Sequence, residues 1–286
     1  MAARAFERDR YLSALLAPVD ARPGLIAIAA FAGEVARIPA TVSEPMIGAI
    51  RLQWWRDQVE AMGGAHTASM GRAGGVKSGH PIADALAQAV SPHRQPVGLL
   101  TAYIDAQDLG LGAEPPEDDH ALAQHLIKTE GALFELALNV LGGAAAVERA
   151  RPLLGDAARA YGLTRLLVEL PAFTAEGRTL LPASRLAAAG LTAEALYARG
   201  DAVEMAVAPV ARHIADEARR HLALAVRQFR TSPTGRERLA LLPLATVVPT
   251  LRAVNGMAAQ ALSCPADILP LTRIMRLSWT YMTGRL

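Results

Sequence analysis

An all-α fold is what this sequence predicts, on three observations. Alanine and leucine dominate a chain that is 52% hydrophobic but only 5% aromatic, and those two residues lose least on entering a helix. Apolar residues recur at helical spacing along nearly the whole chain, and no stretch alternates as a half-buried strand would. Prolines and glycines fall at the ends of these periodic runs, where helices start and stop. With 286 residues, the chain is long enough to bury a core without disulfides or metals.

The elements follow in order. A first helix closes before Pro18, a second covers about 24–38, and a third runs from Ser43 to about Met62. Ser43 reads as its N-cap, with Glu44 and Pro45 in the first turn. The stretch GGAHTASMGRAGGVKSGHP, 63–81, is rich in Gly and Ser and lacks periodicity, which predicts a flexible surface loop at about 63–80. Helices then cover 81–91, 96–109, 118–142, 146–170, 201–230, 236–262 and 267–283, with Pro243, Pro249 and Pro270 interrupting the last two. Asp118, Asp119 and His120 follow EPPE as capping residues of a helix N-terminus. No repeat appears, and no linker is long enough to separate two cores. The expectation is one bundle-like domain over 1–286.

Composition excludes several classes. A formal charge of +2, with no basic run interleaved with aromatics, argues against nucleic acid. Cys264 is alone and cannot form an internal disulfide, and the start MAARAFERDRYLSALL carries charges where a signal peptide needs an apolar core. GLIAIAAFAG, 24–33, falls short of the ~20 residues that cross a bilayer. A cytoplasmic protein without a transmembrane helix is expected. The segment LTRIMRLSWTYMTGRL places Arg273, Arg276 and Arg285 among Leu277, Trp279 and Tyr281. It is either a final helix packed on the bundle with its arginines in water, or a basic amphipathic surface for peripheral contact with an anionic membrane on the cytoplasmic face.

Trp54, Trp55 and Arg56 form the most conspicuous cluster. Consecutive helix residues point about 100° apart, so the two indoles cannot line one wall equally, and at least one is structural packing. Arg51, four residues before Trp55, is placed to stack on it. His213, Glu217 and His221 recur every fourth residue like metal ligands, but without a further ligand they read as a solvated helix face. No phosphate loop and no Ser, His and Asp arrangement is present.

Several stretches together resemble the squalene and phytoene synthase family of head-to-head prenyl transferases. These are DRYLSALLAP with GLIAIAAFAGEVARI, RLQWWRDQVE with HPIADAL, HLIKTEGALFELALNVLG, and AYGLTRLL with GRTLLP. The resemblance implies an isoprenoid-synthase-type bundle around an apolar pocket, with two acid-rich motifs at its mouth. Carboxylates at i and i+4 share one helix face and hold Mg²⁺ against a substrate diphosphate, and the metal stabilises the leaving group.

Carried over residue by residue, those motifs are degenerate. The first falls on Ala36, Arg37, Ile38, Pro39 and Ala40, and the second retains Glu169 but has Ala172 and Phe173 at its later acidic positions. Arg37 stands at a metal-binding acid and Arg165 at the family's asparagine. Pro171 disfavours helix geometry at Leu170. The resemblance implies that Glu34, Arg37, Arg51, Trp55, Arg56, Arg165, Glu169 and Arg178 belong to the pocket or its ligand site, with no catalytic residue and no metal ligand among them. Two readings of the inverted charge stay open. Arg37 and Arg165 grip an anionic head group directly, or Arg37 pairs with Glu34 or Glu169 and closes the pocket mouth.

The pattern resembles a divergent branch of the family that includes a mitochondrial respiratory complex I assembly factor. It implies a non-catalytic assembly factor or binder of a prenyl or other apolar lipid, with a respiratory protein partner and no cofactor. The alternative is a prenyl transferase that condenses prenyl diphosphates with Mg²⁺.

Overall fold

The computed structural model describes residues 2–42, 44–68, 78–93, 96–112, 114–232, 234–257, 260–264 and 266–286, with backbone alone for 64–68 and 90–93. Among them every regular element is helical: α1 (Ala2–Phe6), α2 (Arg8–Leu15), α3 (Arg22–Ala36), α4 (Pro45–Ala68), α5 (Pro81–His93), α6 (Val97–Ala106), α7 (Asp119–Leu126), α8 (Ala132–Ala175), α9 (Ala183–Ala188), α10 (Ala193–Ala198), α11 (Asp201–Phe229), α12 (Val247–Gly256) and α13 (Pro270–Thr283). A π turn over Ile127–Gly131 joins α7 to α8, and a 3₁₀ segment covers Gly235–Thr246. The all-α expectation stands.

The chain divides into two compact units. The first comprises Met1–Leu111, Ala132–Arg151 and Ser232–Leu242. Its centre is α3, an Ala- and Gly-rich helix packed against α1, α2 and α5. Gly33 permits this approach, since a Cβ there would lie 2.9 Å from the Cβ of Phe6. Phe31, Leu52, Leu86, Leu100, Ile104, Phe134, Leu138 and Leu141 are fully buried, each contributing about 1.5–3 kcal/mol of apolar transfer. The Tyr103 hydroxyl donates to the Ala32 carbonyl at 3.0 Å and ties α6 to α3.

The second unit comprises Gly112–Gly131, Pro152–Thr231 and Pro243–Leu286. Its α11 buries Val207, Ala211, Ile214, Ala218, Leu222, Ala225 and Phe229, one stripe at helical spacing. Asp118 caps α7 as expected, accepting from the Ala121 N–H at 2.8 Å. Arg185 on α9 bonds Asp119 and Glu217, each at 2.5 Å, and so fastens α9 to α7 and α11.

Several boundaries differ from expectation. α4 continues to Ala68, so the first part of the segment expected as a loop is helical; 69–77 lie outside the described residues, as does the expected cap Ser43. The break expected between 142 and 146 falls at Gly143, whose φ of 68° interrupts the run Ala132–Ala175. Pro171 does not end its helix, which continues to Ala175. Near Pro171, Thr174 Oγ1 donates to Leu170 O at 2.9 Å and Arg199 donates to Pro171 O at 2.8 Å. The helix then closes in a Schellman motif, with Arg178 N bonded to Phe173 O and Gly177, φ 68°, in the left-handed turn. The expected helix 236–262 is a 3₁₀ segment followed by α12.

Two helical runs, Asp119–Ala175 and Gly235–Gly256, are long and apolar enough to cross a membrane by length and composition. In their most apolar windows 67% and 61% of the residues are buried in the protein, the property of core helices.

Candidate functional site

In the first unit a cavity of about 430 Å³ opens where α3 ends and α4 passes. Glu34, Arg37, Ile38 and Thr41 line it from the end of α3 and the turn after it, Arg51, Trp54 and Trp55 from α4, and His80 from the start of α5. Four predicted residues, Glu34, Arg37, Arg51 and Trp55, are thus brought together. Arg37 is the C-cap of α3, where a cation complements the helix dipole and a carboxylate would oppose it. Its guanidinium lies 4.0 Å from the ring centroid of Phe6. Of the two readings of Arg37, the one that pairs it with Glu34 finds no such ion pair among the described residues. The stacked cation already rests on the π face of Phe6 beside the cavity.

The aromatic wall is built from the core outward. Trp55 is buried and meets Phe31 edge to face at 5.3 Å. Trp54 is 5.0 Å from Trp55, and the His80 ring is 5.2 Å from Trp54 and 5.3 Å from Trp55. Both indoles reach the cavity, one as core and one as partly exposed wall. Arg51 does not stack on Trp55; its guanidinium donates to Thr41 Oγ1 at 3.2 Å, and that hydroxyl donates to Ile38 O at 3.2 Å. His80 accepts the Ala83 N–H at Nδ1, 3.4 Å, which caps α5 and places the proton of a neutral ring on Nε2.

Arg56 is directed elsewhere, to Asp105 and Asp108 at 2.7 Å each. Burial lowers the Arg56 pKa, but the two carboxylates outweigh it and the net direction is up. It is a strut from α4 to the end of α6 and the turn after it, and no part of the cavity wall.

In the second unit Arg165 and Glu169, one turn apart on α8, are paired at 2.9 Å. Arg165 also bonds Glu130 at 3.1 Å. Glu130 is buried in the π turn, and Gly162 makes room for it, because a Cβ there would lie 2.6 Å from Leu126 Cδ2 and 3.3 Å from Glu130 Cγ. Phe173, where the second motif needs an acid, is the platform for Arg178, 4.9 Å from its ring centroid, and Arg178 bonds Glu176. The row His213, Glu217 and His221 is not a purely solvated face. Glu217 holds Arg185, and His221 Nδ1 lies 2.8 Å from Asp156.

Sequence reasoning missed Thr41, His80 and Glu130. His80 opens HPIADAL and Glu130 lies in HLIKTEG, both segments that carry the family resemblance, so the sequence marks their segments without giving either residue a role. Thr41 had no sequence signal; it enters through the turn at Pro39.

An all-helical architecture with two degenerate motif positions, one at the end of α3 and one on α8, defines an isoprenoid-synthase-type protein. The chain belongs to the squalene/phytoene synthase family, whose sequence profile matches residues 3–275. It is 27% identical over 219 residues to NADH dehydrogenase (ubiquinone) complex I, assembly factor 6, of Mus musculus, covering 75% of this chain and 60% of that protein. To the Homo sapiens protein of the same description it is 28% identical over 134 residues, 47% of this chain and 37% of the relative. The chain therefore spans less than two thirds of these relatives.

Among solved structures, it matches squalene synthase HpnC from Alicyclobacillus acidocaldarius with a TM-score of 0.68 at 17% identity, covering 90% of this chain and 91% of that one. A dehydrosqualene synthase in complex with ligand matches with a TM-score of 0.73 at 14% identity, over 97% and 92%. YisP from Bacillus subtilis matches with a TM-score of 0.67 at 15% identity, over 96% and 91%. These likenesses establish the fold.

The residues present do not fit the magnesium site that the family implies. Ala36 and Ala40 offer no donor, Arg37 is a cation, and the Glu169 carboxylate accepts from Arg165. Among the described residues no three His, Cys, Asp or Glu side chains group as metal ligands.

Proposed function

We propose that this member of the squalene/phytoene synthase family has given up magnesium-dependent prenyl transfer and acts without a cofactor, as a cytoplasmic respiratory-complex assembly-type factor. The observation that carries this reading is the fate of the two motifs: cation in place of acid at Arg37, and a carboxylate engaged by Arg165 at Glu169. Diphosphate departure needs concentrated positive charge that these residues cannot recruit through metal. Similarity to the complex I assembly factors supports the choice of partner class. In this reading the cavity beside α3 holds the polar head of a prenyl or other apolar lipid, with Arg37 and Arg51 as metal-free contacts and Trp54 as a wall.

Incubation with farnesyl or geranylgeranyl diphosphate and Mg²⁺ tests the loss of chemistry. No pyrophosphate is expected, and a coupled C30 or C40 product would overturn the reading. Affinity capture from the source cells is expected to return respiratory complex I subunits. Farnesyl diphosphate binding without Mg²⁺ is expected to weaken in Arg37→Ala; equal affinity in that variant removes the head-group role.

A further inference from the structure

The face of α13 opposite its packing side is apolar and uncovered. Arg273, Leu277 and Thr280 are buried, at i, i+4 and i+7, and mark the inner side. Leu271, Met275 and Met282, at i, i+4 and i+11, point the other way and are 67%, 62% and 75% exposed. Ile274, Trp279 and Tyr281 flank them and are also exposed. Single exposed apolar side chains are ordinary, but six on one helix of 14 residues form a contiguous patch that water penalises.

Charge on this segment selects what covers the patch. Residues 268–286 contain no Asp or Glu. Arg273 is turned inward and neutralised by Asp267 at 2.6 Å, so the cations that remain outward are Arg276 and Arg285, both exposed. A two-fold contact between copies through this face would set arginine against arginine with no acid on the segment to compensate. An anionic lipid surface supplies the missing charge and receives the methionines and leucine at the same time, and Trp and Tyr favour that boundary.

We infer that α13 docks this protein onto an anionic membrane surface, with Leu271, Met275 and Met282 entering the acyl boundary and Arg276 at the head groups. Of the three arginines expected to face outward, Arg273 alone is turned inward. It is independent of whether the chain transfers prenyl groups.

The test is flotation of the full chain with vesicles of phosphatidylcholine alone and of phosphatidylcholine mixed with phosphatidylglycerol. The native chain is expected to float with the anionic vesicles and to bind neutral ones more weakly. Leu271→Ser/Met275→Ser/Met282→Ser changes exposed positions only, and with an unchanged thermal midpoint it is expected to lose binding at least tenfold. Arg276→Gln is expected to lose about fivefold on anionic vesicles and little on neutral ones. Fluorescence quenching by lipids brominated in the acyl chain is expected in the native chain and largely absent in Trp279→Phe. No flotation of the native chain, or flotation of the triple variant equal to native, overturns the inference. So does a native dimer that the triple variant converts to monomer, because a second copy would then cover the face.

Discussion

Arg165 holds two carboxylates at once, Glu169 at 2.9 Å from its own helix and the buried Glu130 at 3.1 Å from the π turn before it. The guanidinium ties α8 to the turn before it. Removing the guanidinium leaves Glu130 in a buried position without this cation. Arg165→Met is expected to destabilise the protein by about 1–3 kcal/mol in urea unfolding. Adding Glu130→Gln should recover part of that loss, because the amide carries no charge to desolvate. If the double variant is as unstable as the sum of the single ones, the two side chains are not coupled.

Magnesium is expected to leave the native thermal midpoint unchanged at millimolar concentration. A ligand that binds only the folded state raises that midpoint, and the single Glu169 carboxylate is already engaged. Arg165→Asn with Phe173→Asp restores acids at i and i+4 on α8 and releases Glu169 from its pair. In that variant Mg²⁺ is expected to raise the midpoint, which calorimetry with and without chelator reads directly.

The all-α fold was legible in the sequence because alanine and leucine at helical spacing leave few alternatives, and the stripe along α11 matches its expected span closely. The degeneracy of the two motifs was legible as well, since Ala36, Arg37, Ala172 and Phe173 cannot ligate a metal whatever their geometry. What the pattern could not give were the partners. Arg51 chose the Thr41 hydroxyl over the Trp55 ring, and Arg56 chose Asp105 and Asp108, some fifty residues away. A long cation takes its partner from tertiary neighbours, and one sequence does not place those. Pro171 misled for the opposite reason: local propensity disfavours a helix there, but the helix continues to Ala175 and closes only at Gly177.

Two glycines on α8 are expected to respond to alanine with opposite signs. Gly162 faces Leu126 and Glu130 so closely that a methyl would sit 2.6 Å from Leu126 Cδ2, and Gly162→Ala should cost about 1–3 kcal/mol. Gly155 has nothing within 4 Å of a Cβ, so Gly155→Ala should stabilise by about 0.5–1 kcal/mol through helix propensity. Urea midpoints of the two variants separate packing from propensity on one helix. Equal effects at the two positions would mean that the π turn does not rest against Gly162.

Stability should depend on pH through Glu237. Its carboxylate is buried and receives the Arg149 guanidinium and the Thr234 N–H, the latter at 3.2 Å. Burial pushes its pKa up, but these hydrogen bonds and the charge of Arg149 outweigh it and hold the value below the ordinary 4.5. Because the folded value is the lower one, the contribution is complete above 4.5, where both states are ionised. It is lost as pH falls from there through the folded value, since the unfolded chain takes up the proton first. The Glu237→Gln variant has no proton to exchange at that position. It is expected to have a thermal midpoint a few degrees lower at neutral pH and a shallower decline below 4.5 than the native chain. Thermal unfolding from neutral to acid pH checks both, and parallel profiles would assign the acid sensitivity to other carboxylates.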